Sequence, residues 1–168
     1  MEFIAQAISI IAMIVSICSL QLKTNKGLFV CRGVSGFLFS LSYLLIGAYT
    51  GALLNLLNVL KSTLLVNKKT SKKPFMFLMI ALYVGAAIVT FGGPLSILVG
   101  IAQCAETVVM WHRNGKHIRI CQLGFLSPVW LIYNIVEFSL GGILTEIFVM
   151  VSPVVSFIRF RKTGFDKT

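Results

Sequence analysis

Apolar stretches long enough to cross a lipid bilayer follow one another along most of this 168-residue chain. A helical span needs about 20 predominantly apolar residues, because the hydrocarbon core of a bilayer is about 30 Å thick. Charged residues make up 12% of the chain and apolar residues 57%, against about 25% and 45–50% in soluble domains. A soluble domain needs more charge to cover its surface, so the sequence predicts an all-α polytopic membrane protein.

Short polar or glycine-rich breaks divide the chain into seven predicted transmembrane helices. They cover residues of about 3–22, 33–49, 51–66, 74–91, 95–111, 118–138 and 143–160. Tight turns are predicted at Tyr49–Gly51, Gly92–Pro94 and Ser139–Gly142, because glycine and proline interrupt helices. The polar run Asn67–Lys73 is the longest predicted loop.

The fifteen Lys and Arg residues fall in four groups, which we assign to the first, third and fifth loops and to the C-terminal tail. The N-terminus and the even-numbered loops hold none. Because Lys and Arg in short loops favour the cytoplasmic side, the sequence predicts an extracytoplasmic N-terminus and a cytoplasmic C-terminus. Apolar spans separate the groups, so they form no continuous basic face. We therefore predict the lipid bilayer, and not nucleic acid, as the partner of these charges.

The chain repeats itself weakly with a period of 90 residues. The shift places Lys26 on Lys116, Tyr43 on Tyr133 and Gly51 on Gly141, and it keeps turns and basic groups in phase. Two three-helix units of the same orientation need a linking helix, because three is odd. We predict two parallel three-helix bundles joined by that helix (3+1+3), with residues 1–73, 74–92 and 93–160 as the three parts and 161–168 as a tail.

Two resemblances follow from these features. Leu20–Gly27 is similar to a PQ-loop motif in which Gln21 is kept and Leu20 replaces the proline. Together with the 3+1+3 plan, it resembles the SWEET and PQ-loop superfamily of small transporters. SWEET proteins use four prolines as helix hinges, and in this chain only Pro128 lies mid-span in a comparable place.

A second set of residues extends over nearly the whole chain. It consists of Asn58, Lys61, Cys121, Trp130, Ile132, Asn134, Ser139, Gly141, Gly142, Glu146, Ile158–Phe160, Gly164 and Asp166. This set resembles the YgjV family of bacterial inner membrane proteins. The resemblance implies a multi-pass protein of the bacterial inner membrane. In such a membrane the extracytoplasmic N-terminus predicted from the basic residues is periplasmic.

Polar side chains inside lipid are costly, so each one in a span is a candidate site residue. Asn55 and Asn58 share a helix face near mid-depth, and an amide both donates and accepts hydrogen bonds. These two residues could line a site for a polar neutral solute, or they could only join helices. Lys61 continues the same face, and we expect it to extend toward the headgroups.

Trp130 and Asn134 lie four residues apart on one face of the sixth span, so an indole and an amide could together bind a ring or a sugar. In SWEET-like proteins a tryptophan and an asparagine of this sort face the central cavity. The alternative is that Trp130 belongs to an interfacial aromatic belt.

Glu146 and Glu106 lie inside the seventh and fifth spans. Desolvation raises the pKa of a carboxyl group in general, so proton coupling is one role for Glu106 and Glu146, and solute binding is a second role for Glu146. The alternative is a carboxyl group bonded to a neighbouring helix or to a basic residue.

The leading hypothesis is a small SWEET-like transporter or facilitator of a small polar solute, passive or proton-coupled. Asn55, Asn58, Trp130, Asn134 and Glu146 are the predicted binding residues. The rival hypothesis is a non-transporting membrane protein that binds a partner or lipid. We predict no enzyme activity, catalytic residue, metal site or cofactor, and the sequence leaves a homo-oligomer open.

Overall fold

The structure is a computed structural model that describes residues 2–20, 25–66, 72–112, 117 and 120–160. Within these residues the chain is 92% helical and contains no strand. The helices are α1 (Glu2–Leu20), α2 (Asn25–Ile46), α3 (Tyr49–Val66), α4 (Lys73–Val89), α5 (Pro94–Trp111), α6 (Ser127–Val136) and α7 (Leu140–Phe160). A π-helical segment, Gln122–Leu126, leads directly into α6. The predicted tail 161–168 and much of the predicted basic loops lie outside the described residues.

The seven helices correspond to the seven predicted spans, but their lengths differ. By length and composition, three helices in the described part of the chain could cross a membrane: Phe29–Ile46, Tyr49–Val66 and Pro94–Trp111. The remaining apolar helical segments, counted within the described ranges, are shorter: Glu2–Cys18, Lys73–Val89, Gln122–Val136 and Leu140–Val151.

Two predicted turns are wrong in a way that has a common cause. The turn before α3 is at Gly47, which has a φ of +81°, and Gly51 lies inside the helix. Gly141 and Gly142 likewise lie inside the first turn of α7. At all three positions an added Cβ would come within 3.0 Å of a neighbouring helix. These glycines therefore allow close packing and do not form the turns.

The second helix begins at Asn25, eight positions before the predicted start at Gly33. The prediction counted Arg32 as part of a basic loop. In the structure, Arg32 is inside α2, and its guanidinium group forms an ion pair with Glu106 of α5. Because this partner neutralises Arg32, the helix continues through it.

Six helices contact one another in a closed cycle, and α4 packs beside it. Around the cycle, α1 contacts α2, α2 contacts α3, α3 contacts α5, α5 contacts α6, α6 contacts α7, and α7 contacts α1. Helix α4 packs against α3 and α5. This cycle leaves space for a central cavity.

Polar and apolar side chains are distributed in the opposite way to a soluble protein. Large apolar side chains such as Phe3, Ile88 and Val89 are more than 60% exposed. Lys61, Gln103, Glu106, Asn55 and Asn134 are each less than 10% exposed. Lipid explains both observations, because it solvates apolar surface and cannot solvate polar groups.

Candidate functional site

A cavity of about 120 Å³ lies among the six helices of the cycle. Every one of these helices contributes to its wall, from Ser16 of α1 to Val149 of α7. The residues predicted from the sequence all line it: Asn55, Asn58, Glu106, Trp130, Asn134 and Glu146. An engineered cavity of about 150 Å³ holds benzene, so this conformation has room for a solute of about that size.

Three charged side chains and one amide line one part of the cavity; we call Arg32, Lys61, Gln103 and Glu106 the charged cluster. Arg32 Nη1 donates to Glu106 Oε1 over 3.0 Å, and Lys61 Nζ donates to Glu106 Oε2 over 2.5 Å. Lys61 also donates to Gln103 Oε1 at 3.3 Å, and its Nζ lies 5.3 Å from the centre of the Tyr83 ring. One carboxylate on α5 is thus shared by two cations from α2 and α3.

The position of Lys61 corrects the sequence prediction that it would extend to the headgroups. Lys61 is 2% exposed, and its ammonium group contacts Glu106 within the protein. A buried carboxylate at bonding distance compensates for part of the desolvation of the ammonium group, which removes the reason to extend outward.

A second group lies at another part of the cavity; we call Tyr43, Trp130, Tyr133 and Asn134 the aromatic cluster, of which Tyr43, Trp130 and Asn134 line the wall. The Tyr133 ring meets both the Trp130 and Tyr43 rings edge to face, at centroid distances of 5.5 and 6.1 Å. Asn134 is 1% exposed, and its Oδ1 accepts a hydrogen bond from the Tyr43 hydroxyl. Trp130 is 6% exposed, which argues against a role in an interfacial belt.

Two glycines hold the aromatic cluster against α3 and α7. The backbone N–H of Gly51, in the first turn of α3, donates to the Tyr133 hydroxyl over 2.8 Å. First-turn N–H groups have no partner within their own helix, so Tyr133 caps α3. A Cβ at Gly142 would overlap the side-chain amide of Asn134, so no larger residue fits there unless Asn134 moves.

Asn55 and Asn58 both line the cavity, and each also has a hydrogen bond within the protein. Asn55 Nδ2 donates to the carbonyl of Gly51 on its own helix at 2.9 Å. Asn58 Oδ1 accepts from the Tyr83 hydroxyl of α4 at 2.7 Å. Asn58 is only partly buried, whereas Asn55 is 8% exposed. Asn58 is therefore the more available of the two amides.

Glu146 is the second carboxyl group in the cavity wall. Its Oε2 is buried and has no hydrogen-bond partner among the described residues. Neither ion pair found in the described ranges includes it, since both involve Glu106. The two glutamates predicted for proton coupling therefore differ, because Glu106 is an ion-pair partner and Glu146 is not.

The start of the sixth span has an irregular backbone. The π-helical segment Gln122–Leu126 precedes Pro128, whose ring nitrogen cannot donate a helical hydrogen bond. Gln122 and Leu126 both line the cavity. Such π segments are frequent at functional sites, and this one forms part of the cavity wall.

Sequence reasoning missed three of these residues as parts of the site. Tyr43 and Tyr133 stand out in the sequence only as repeat matches, although their common phase in the two halves is a signal of a shared role. Arg32 was grouped with loop residues, although Leu28–Cys31 before it is apolar. An apolar run on both sides of a basic residue indicates a helix interior.

No metal site is found: within the residues that the structure describes, no group of three His, Cys, Asp or Glu side chains could hold an ion.

Comparison with protein families shows which family the chain matches. The model of the family Imp-YgjV, described as a bacterial inner membrane protein, matches residues 3–164. No curated protein and no solved structure matches the chain.

Proposed function

The chain belongs to the Imp-YgjV family of bacterial inner membrane proteins, and from this premise we propose that it is a small transporter or facilitator of a polar solute. The observation that carries the proposal is the central cavity. Its wall brings charged, amide and indole groups together from five helices, while the exterior is apolar. Buried polar groups are costly in a membrane protein and typically mark a solute or ion pathway.

The proposal includes the 3+1+3 plan and the SWEET-like comparison. Two contacts between the halves support the plan, because the 90-residue shift relates the residues of one contact to those of the other. Thr50 Oγ1 lies 3.1 Å from Ser96 Oγ, and Leu140 N lies 3.0 Å from Gln6 Oε1. Adding 90 to positions 6 and 50 gives 96 and 140. In each contact the third helix of one half meets the first helix of the other, as a twofold axis along the membrane normal requires.

Within this proposal, Asn58, Asn55 and Trp130 bind the solute, and Asn134 positions the aromatic cluster through Tyr43. Glu146 is the group assigned to proton coupling, because Glu106 already neutralises basic side chains. Passive transport without Glu146 titration is the other form of the same proposal. No catalytic step is part of it.

Cysteine accessibility tests the cavity. Single cysteines at positions 55, 58, 130, 134 and 146, in a variant without the four native cysteines, are treated with a small membrane-impermeant thiol reagent. A transporter requires a water-filled path, so we expect labelling at most of these positions. A cysteine at the lipid-facing position Ile88 is the matched control. Protection at all five cavity positions would contradict the proposal.

Reporter fusions test the orientation, with the N-terminus periplasmic and the C-terminus cytoplasmic. Fusions after Gly51, Gly93 and Gly142 should report a periplasmic location, and those after Lys73 and Lys116 a cytoplasmic one. A single fusion on the opposite side would contradict the arrangement of seven spans.

The second candidate is a membrane protein that binds a partner or lipid without transport. It is favoured by the hydrogen bonds that Asn55, Asn58 and Asn134 already make inside the protein. Asn58→Leu separates the two candidates. In a transporter it abolishes transport while the protein stays folded. If Asn58 only joins helices, we expect any transport rate to be unchanged and the free energy of unfolding to fall by about 0.6–2 kcal/mol.

A further inference from the structure

The charge of the cavity indicates which class of solute it would bind. Arg32 and Lys61 carry two positive charges, and Glu106 carries one negative charge between them. Among the described residues, neither cation forms an ion pair with any other acid. The charged cluster therefore has one positive charge in excess, in a protein that lipid surrounds.

The two cations differ in their availability. The Lys61 side chain is 3% exposed, and its ammonium group is occupied by Glu106, Gln103 and the face of Tyr83. The Arg32 side chain is 22% exposed. Its hydrogen bonds within the described part of the chain come from Nη1 alone, to Glu106 and to Met110. A guanidinium group has five N–H donors in a planar fork, so Arg32 keeps donors for a ligand.

Resting on the proposed transport function, we infer that the solute is a small organic monoanion, whose carboxylate group binds the Arg32 guanidinium in the cavity. Guanidinium and carboxylate form paired, charge-assisted hydrogen bonds. The bound anion would neutralise the excess charge of the cluster. Lys61 acts as a positioning residue, because it holds Glu106 and prevents that carboxylate from taking both sides of the Arg32 fork.

The remaining wall fits such a solute. Asn58, Ser35 and Ser62 supply uncharged polar groups to the same wall, and Trp130 supplies an apolar face. The volume of about 120 Å³ restricts the solute to a few non-hydrogen atoms in this conformation. The buried Oε2 of Glu146 has no donor among the described residues. Because Glu146 lines the same cavity, the excess positive charge requires its carboxyl group to be protonated there, so a glutamine at position 146 should support binding.

The experiment compares acids with their neutral amides. Full-length protein in lipid-free detergent is heated in the presence of sodium acetate, propionate or lactate, or of acetamide, propionamide or lactamide at the same ionic strength. We expect at least one carboxylate to raise the Tm in a saturable way, and the matched amide to have no effect. Equal effects of acid and amide, or no effect of any acid, would overturn the inference.

Variants assign the binding to Arg32. We expect Arg32→Gln to weaken the apparent affinity for the stabilising acid at least about tenfold, since a hydrogen bond to a charged group contributes about 1.5–3 kcal/mol. Arg32→Lys should retain part of it, Glu146→Gln most of it, and Lys72→Gln, at the exposed position before α4, all of it. Unchanged affinity in Arg32→Gln would contradict the assignment. If this variant does not fold, the comparison of acid with amide in the wild-type protein still decides whether the protein binds a small organic monoanion.

Two further results distinguish a soluble monoanion from a lipid headgroup and from an uncharged solute. Stabilisation by phosphatidylglycerol in nanodiscs, without any effect of the soluble acids, would identify a lipid headgroup as the anion and overturn the inference. Uptake of an uncharged solute into proteoliposomes, without stabilisation by any acid, would overturn the inference and leave the proposed transport function in place.

Discussion

The charged cluster and the aromatic cluster line the same cavity but are stabilised in different ways. Gly51, which donates to Tyr133 of the aromatic cluster, and Lys61 of the charged cluster both lie on α3. At about 1.5 Å per residue they are about 15 Å apart along the helix. The charged cluster depends on the presence of opposite charges, since a shared carboxylate compensates for two desolvated cations. The aromatic cluster depends on shape, since rings from α2 and α6 pack where glycines leave space.

This difference indicates how each region would respond to a change. Removing one charge leaves its partners buried without an opposite charge. Small movements of the side chains cannot restore the stability that is lost. Adding one atom to the aromatic cluster forces rings or an amide aside, and part of that cost can be relieved. We therefore expect the largest effects in the charged cluster and smaller effects in the aromatic cluster.

Glu106→Gln is expected to have the largest effect. Without the carboxylate, Lys61 and Arg32 lose their shared counter-charge, and breaking a buried ion pair costs about 3–5 kcal/mol. The free energy of unfolding in mixed micelles measures it. Glu2→Gln, at an exposed position of α1, is the matched control and should have no effect. A loss below about 0.5 kcal/mol for Glu106→Gln would show that charge compensation does not stabilise this region.

Adding Lys61→Met to Glu106→Gln tests the cause of that loss. The double variant removes the stranded ammonium group, so it should be more stable than Glu106→Gln alone. Lower stability would mean that Lys61 contributes by packing more than by charge.

Gly142→Ala is expected to have an intermediate effect. The new Cβ would overlap Asn134 Oδ1 and lie 2.5 Å from Asn134 Cγ, and overpacking typically costs about 1–3 kcal/mol. Gly85→Ala in α4 is the matched control, because an added Cβ there has nothing within 4 Å. It should be neutral or stabilising by up to about 1 kcal/mol. Thermal unfolding of both variants in the same detergent makes the comparison, and equal stabilities would contradict the close contact.

Tyr133→Phe is expected to have the smallest effect of the three. It removes the acceptor of the Gly51 N–H and keeps the ring packing, so a loss of about 1 kcal/mol is expected. Tyr49→Phe, at a side chain that is 65% exposed, is the control. A loss of stability as large as that of Glu106→Gln would contradict the order proposed for the two regions.

The helices were predictable because their signal is local. Apolar runs of membrane length and the proline or glycine breaks between them are visible in the sequence, and seven helices are found in the described ranges. Boundaries were less predictable where tertiary contacts override local signals. Arg32 extends α2 because Glu106 neutralises it, and Gly142 continues α7 because Asn134 needs the space.

The candidate site was predictable as a set of residues but not as a network. Asn58, Trp130 and Glu146 were selected because polar or amphipathic groups are unusual within a span, and all three line the cavity. Their partners could not be selected in this way. Tyr83 and Tyr43 look like ordinary apolar positions, and only the packing of α4 and α2 brings their hydroxyl groups to Asn58 and Asn134.

The ion pair between Lys61 and Glu106 also constrains how the protein is made. Lys61 precedes Glu106 by 45 residues, which at about 5–20 residues per second corresponds to roughly 2–9 s of translation. During this interval α3 carries an uncompensated lysine, whose cost is below the value of about 2.5–3.5 kcal/mol for the centre of a span, because Lys61 lies five residues from the end of α3. Helix α3 therefore cannot reach its final depth at low cost until α5 has been synthesised. We expect α3 to remain at the insertion machinery, or near the membrane surface, until Glu106 arrives.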